Sequence, residues 1–168
     1  MRSTKTGLAQ RAGSGPRRRE VWVHQKGLPR NCPHPLVDHL GHRMLLATDL
    51  SSASNDVDAR AIELAQAAGA HLLVLAIIPS EASPDAAHRR RLAALVRRAR
   101  RQGIDAEGEI TAADPADAIL RVAIANGADA IIIGDNQWRG WRDADCVSGH
   151  VILHSPCAVL ITHAPTAA

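Results

Sequence analysis

Two kinds of hydrophobic pattern alternate along most of the chain: short, wholly apolar runs, and longer stretches in which apolar residues return every three or four positions. Met44-Leu45-Leu46-Ala47-Thr48 is a run of the first kind that stops at Asp49, which predicts a buried strand. Ser51, Ser52 and Ser54 then offer helix N-caps. Val57, Ala61, Leu64, Ala65 and Ala68 follow at helical spacing, and Gly69 supplies a stop. Leu72 to Ile78 is a second buried strand. A helix long enough for a crossover separates these two strands, so the unit reads as a right-handed βαβ with parallel strands.

The same alternation continues downstream. Ser83-Pro84-Asp85 predicts an N-cap, a proline at the first helical position and an acid in the first turn, for a helix ending near Gly103. Its inward residues are Leu92, Leu95, Val96 and Ala99. Ile104 to Ala112 alternates apolar or small residues with Asp105, Glu107, Glu109 and Thr111, the pattern of a charged edge strand. Asp114-Pro115-Ala116-Asp117 starts a third helix, with Ala116, Ile119, Leu120, Ala123 and Ile124 expected inward and Gly127 at its end. Ala130-Ile131-Ile132-Ile133 is a strand ending in Gly134. An irregular loop and a short helix lead to the last strand, Cys157 to Ile161. Ligands of open α/β sheets bind beyond the carboxyl ends of strands, which singles out Gly134 and the residues after it.

Composition adds constraints without changing this order. The chain has three Trp and neither Phe nor Tyr, so Ala, Leu, Ile and Val must fill the interior. Its 168 residues suffice for one domain and a tail, not for two full domains. The longest apolar run falls far short of the roughly 20 residues of a membrane span, so a soluble protein without a membrane partner is expected. Cys32, Cys146 and Cys157 form no CxxC and are odd in number, which points away from a disulfide framework and toward a reducing, cytoplasmic setting. Cys157 opens an apolar strand and reads as a small buried hydrophobe rather than a nucleophile.

Charge is distributed unevenly. Residues 1–43 carry nine basic and two acidic groups, a net of +7, and the remainder carries eleven basic and fifteen acidic groups, a net of −4. The basic pI therefore belongs to the arm. That arm holds Gly13-Ser14-Gly15-Pro16, Arg17-Arg18-Arg19 and repeated Gly and Pro from Gly27 to Gly41, with no sustained apolar period, and is expected to be loosely ordered. It lacks the apolar core of a secretory signal. Arg89, Arg90, Arg91, Arg97, Arg98, Arg100 and Arg101 make one face of the second helix basic. No aromatics are interleaved for base stacking, so a solvated face is favoured over nucleic acid as partner.

Four stretches resemble the universal stress protein family: Leu45-Leu46-Ala47-Thr48-Asp49-Leu50-Ser51, Ala65-Gln66-Ala67-Ala68-Gly69-Ala70-His71-Leu72, Gly127-Ala128-Asp129-Ala130-Ile131-Ile132-Ile133-Gly134, and Leu153-His154-Ser155-Pro156-Cys157-Ala158-Val159-Leu160. The resemblance spans residues 43–163. It implies an α/β, Rossmann-like domain at 44–164, between the arm and a short tail at 165–168. The implied architecture is an open parallel five-stranded sheet in the order 3-2-1-4-5 with helices on both faces. It further implies a cytoplasmic protein and a homodimer formed along the last strand, Ala158 to Thr162. In the family's ATP-binding members an Asp ending the first strand meets the nucleoside, and a Gly-x2-Gly-x9-Gly-Ser or Thr loop wraps the phosphates. Glycines let backbone N–H groups approach phosphate oxygens, and the following helix N-terminus adds a favourable dipole.

Asp49, Gly134 and Ser148 fall on the matching positions, while Gln137 and Val147 replace the second and third glycines. Gly140 can substitute only if the loop has shifted register. Asp135, Asp143 and Asp145 would repel a triphosphate unless a metal, or Arg139 and Arg142, offset them. Trp138 and Trp141 suit either stacking on an adenine or covering the end of the sheet. Asp49 also has a role that needs no ligand, accepting backbone N–H bonds from the turn after it. His150 and His154, four apart on the last helix, lack a third metal ligand at a fixed offset. The expected function is a non-catalytic stress-response or regulatory domain, acting through dimerisation and an unidentified protein partner, with a degraded nucleotide site and no cofactor. The alternative is an ATP-binding regulator or slow ATPase that uses Asp49, Gly134, Gly140 and Ser148 with Mg²⁺.

Overall fold

The computed structural model describes residues 21–24, 41–134 and 146–162, the first of these segments as backbone alone. Strands β1 (Val21–His24), β2 (Arg43–Thr48), β3 (His71–Ile78), β4 (Ala106–Ala112), β5 (Ala130–Gly134) and β6 (Ala158–Thr162) form one sheet in the order β1-β6-β5-β2-β3-β4. From β2 to β6 every neighbouring pair is parallel, which is the expected five-stranded order 3-2-1-4-5 counted from β2. The sixth strand, β1, lies antiparallel on β6.

Helices cover both faces because the inner strands are apolar on both. Met44 and Leu46 pack with Val57, Ala61 and Ala65 of α1 (Asn55–Ala68) and with Leu92, Leu95 and Ala99 of α2 (Ala86–Arg101). Leu45 and Ala47 point the other way, toward Ile119 and Ala123 of α3 (Pro115–Asn126) and Val151 of α4 (Val147–His154). Both faces of β2, β3, β5 and β6 are thus removed from water, the condition under which parallel sheets occur. Gly69 and Gly127 end α1 and α3 in the left-handed conformation, as their positions predict. Asp114 caps α3 by accepting from the Asp117 N–H at 3.1 Å, with Pro115 next in line.

Four local expectations differ from the structure. The α2 cap is Asp85, which accepts from the His88 N–H at 2.8 Å, so the helix starts two residues beyond Pro84 and not at Ser83. Ser52–Ser54 form a 3₁₀ turn ahead of α1, and neither Ser51 nor Ser54 makes a side-chain cap bond to the element it precedes. Ile124 is 66% exposed, while Val122 is buried. Ile124 follows half-buried Leu120 by four residues and so shares the flank of the helix with it, not the centre of the buried stripe. Within the arm, Val21–His24 are strand; residues 1–20 and 25–40 lie outside the described residues.

Candidate functional site

The carboxyl ends of β2 and β5 diverge at the point where the chain switches from one side of the sheet to the other, which is where open α/β sheets carry their sites. Asp49, Ser54, Val57, Gly134, Val147 and Ser148 line a cavity there. Three of the expected site residues, Asp49, Gly134 and Ser148, are therefore brought together from separate segments. Gly140 lies outside the described residues, as do Gln137, Trp138, Arg139, Trp141, Arg142 and the loop aspartates.

The β2 end is shaped by its own hydrogen bonds. Thr48 Oγ1 accepts from the Leu50 N–H at 3.1 Å. Leu50, buried and at φ 58°, is the one non-glycine in left-handed conformation among the described residues. A branched side chain there carries local strain of about 1 kcal/mol or more. Asp49 Oδ1 accepts from the Ser51 N–H at 2.8 Å and from Ser54 Oγ at 2.5 Å. Partial burial opposes ionisation of this carboxyl, yet the bonds from Ser54 and Ser51 hold it below the usual carboxylate range. The turn-capping role anticipated for Asp49 is thus present without any ligand.

On the opposite wall, Gly134 is a close-packed position. A Cβ there would sit 2.9 Å from Val57 Cγ2, so helix α1 approaches the strand end more closely than any other residue type permits. Across the cavity, α4 begins with half-buried Val147, which lines it and packs against the core, at the position that the resemblance assigns to a glycine. Its first turn is capped from within, because Cys146 Sγ accepts from the Gly149 N–H at 3.3 Å. Ser148 is buried, with its Oγ 3.9 Å from Cys146 Sγ.

The space left is about 90 Å³, against the roughly 300–1,000 Å³ of typical ligand pockets. Among the described residues its lining carries one ionised group, Asp49, and no Lys, Arg or His. Such a lining offers a polyphosphate no countercharge. The loop that carries Arg139 and Arg142 lies outside the described residues, and the described part of the lining supplies no cation to a triphosphate. Nor do three His, Cys, Asp or Glu side chains gather at a metal-sized space among the described residues. His150 and His154 lie against each other, ring centroids 4.4 Å apart. Burial pushes the Cys157 thiol up, opposed by the Ser155 hydroxyl and assisted by Asp129; the residue is half-buried and precedes β6, so it neither opens that strand nor is buried as expected.

Asp58 was not anticipated. It sits on α1 beside Val57, three residues before fully buried Ala61, and is itself only 5% exposed. Its Oδ1 has no hydrogen-bond partner. Burial pushes its pKa from 3.8 to about 6; Thr48 and Arg98 pull it down, and the Asp49 charge pushes it further up. An acid on the apolar stripe of a helix is the sequence signal that marks it.

The family model described as the universal stress protein family matches residues 41–163. No curated protein matches the chain. Among solved structures, a universal stress protein in complex with cAMP is 26% identical with a TM-score of 0.63, covering 73% of this chain and 96% of that chain. The universal stress protein from Archaeoglobus fulgidus in complex with dAMP is 23% identical, with a TM-score of 0.57 and coverage of 73% and 98%. One from Arabidopsis thaliana with AMP bound is 19% identical, with a TM-score of 0.53 and coverage of 73% and 91%. The last two, at this identity, show the fold alone. No helix among the described residues is long and apolar enough to cross a membrane. With the family model matching well over half of its length, the chain belongs to the universal stress protein family.

Proposed function

We propose that this chain is a non-catalytic regulatory domain that works by self-association through β6 and by contact with a protein partner, and that its nucleotide site is closed. The observation that carries this reading is the small cavity at the β2–β5 switch point, lined among the described residues by Val57 and Val147 and by no Lys, Arg or His. The helix terminus that would receive a phosphate already donates to Cys146. Self-association through β6 is supported by the apolar character of that strand. A ligand that binds the folded form stabilises it, by about 4 kcal/mol at a thousandfold excess over Kd. Thermal unfolding in millimolar ATP and Mg²⁺ should therefore leave the transition where it is, whereas a rise of several degrees would reopen the site.

One observation favours a second reading, in which the domain binds an adenine nucleotide: Asp49, Gly134 and Ser148 converge on a single cavity. The relatives solved with cAMP, dAMP and AMP give that ligand class. If binding is detected, Asp49→Ala and Ser148→Ala should each weaken it; unchanged affinity would place the nucleotide elsewhere.

A further inference from the structure

β6 reads Ala158-Val159-Leu160-Ile161-Thr162, and all five residues are buried. Ala158 and Leu160 belong to the core under α1 and α2, Val159 and Ile161 to the core under α3 and α4. The strand is thus built like an interior strand. It has no charge, no Pro and no Gly, the devices by which edge strands avoid pairing with other chains. With β5 on its inner side, its outer N–H and C=O groups face whatever stands beyond. What stands there is β1, antiparallel, with Val21 opposite Thr162, Trp22 opposite Ile161, Val23 opposite Leu160 and His24 opposite Val159. β1 comes from the basic arm and precedes the residues that match the family model, which start at 41.

We propose that β1 blocks in cis the outer edge of β6 along which a second copy would pair, so the arm and the second copy compete for the same backbone. The proposal rests on the reading above that the domain self-associates through β6. β1 shows that the edge accepts an antiparallel apolar strand. β6 of a second copy is such a strand, and antiparallel pairing of two β6 strands is the self-complementary contact of a two-fold dimer. Four residues of arm hold few ladder bonds and are the shortest strand of the sheet, the kind of element that opens most readily. The full chain is therefore expected to be held largely monomeric, and release of β1 exposes the dimer edge.

The test is sedimentation equilibrium on the full chain and on the full-length variant Trp22→Pro/Val23→Pro. Adjacent prolines ensure that at least one ladder N–H is lost whichever residue of the pair supplies it. Dimer association in the variant should be about tenfold tighter or more, the consequence of losing one or two ladder bonds that compete with the second copy. A peptide spanning residues 19–26, added in trans, should return the variant toward monomer, which also separates genuine pairing from misfolding. Equal association constants with both chains dimeric would overturn the competition while leaving self-association standing. Both chains monomeric, with β6 amides of the variant exchanging freely with solvent, would overturn self-association as well. A dimeric full chain and a monomeric variant would show that the arms join copies, the opposite of the proposal.

Discussion

The two outer strands of the parallel part of this sheet, β4 and β6, are built on opposite principles. β4 puts Glu107 and Glu109 on the surface, and its neighbours on the same strand are Ala, Gly, Ile and Thr. β6 is buried from end to end and carries no charge. Both are the last parallel strand on their side, but β6 carries β1 beyond it, whereas β4 ends the sheet. A border meant for water carries charges that make pairing costly, and a border meant for another strand cannot. The contrast supports the proposal that the molecule works through β6, and the described residues around the cavity above Gly134 include no Lys, Arg or His.

Truncating each border gives the largest expected difference. Leu160→Ala, at a side chain 1% exposed, should cost about 2–5 kcal/mol in urea denaturation. Glu109→Ala on β4 should change stability by less than about 0.5 kcal/mol. Comparable losses at the two positions would break the comparison.

Asp58 supplies the next effect, and it is expected to act on the whole fold without touching either border. Its pKa stands near 6 in the folded chain against 3.8 ordinarily. The folded state therefore holds the proton more tightly than the unfolded state. This group's contribution is most favourable below about pH 4 and is lost as pH rises through about 6, a change of about 2–3 kcal/mol. Asp58→Asn should raise stability by about that amount at pH 8 and flatten the profile between about pH 4 and 6, with self-association unchanged. An unchanged profile in the variant would mean that the charge is better compensated than Arg98 and Thr48 suggest.

The smallest effect sharpens what protects β4. Glu107→Val/Glu109→Val should leave folding stability within about 1 kcal/mol, since both side chains face water. The variant should nevertheless acquire concentration-dependent association in light scattering. If it stays monomeric, charge is not what keeps that border free.

Much of this was legible along the chain because the signals are local. The apolar runs at Met44–Thr48, Leu72–Ile78 and Ala130–Ile133 found their strands, the Asp114-Pro115 pair found the start of α3, and the alternation around Glu107 and Glu109 identified an edge. β1 was not legible: Val-Trp-Val-His is too short to show a period, and its partner lies about 140 residues away. The α2 start was misplaced because two acceptors, Ser83 and Asp85, competed, and the carboxylate took the His88 N–H. At the site, the convergence of Asp49, Gly134 and Ser148 was foreseen, but three facts depend on packing that no spacing reveals. These are the approach of Val57 to Gly134, the Cys146 cap and the burial of Asp58.

Isothermal titration of the full chain with ATP and Mg²⁺ tests most directly the claim that the domain works at a strand edge and not at a nucleotide site. The account predicts no heat beyond dilution. Saturable binding with a micromolar Kd would contradict it.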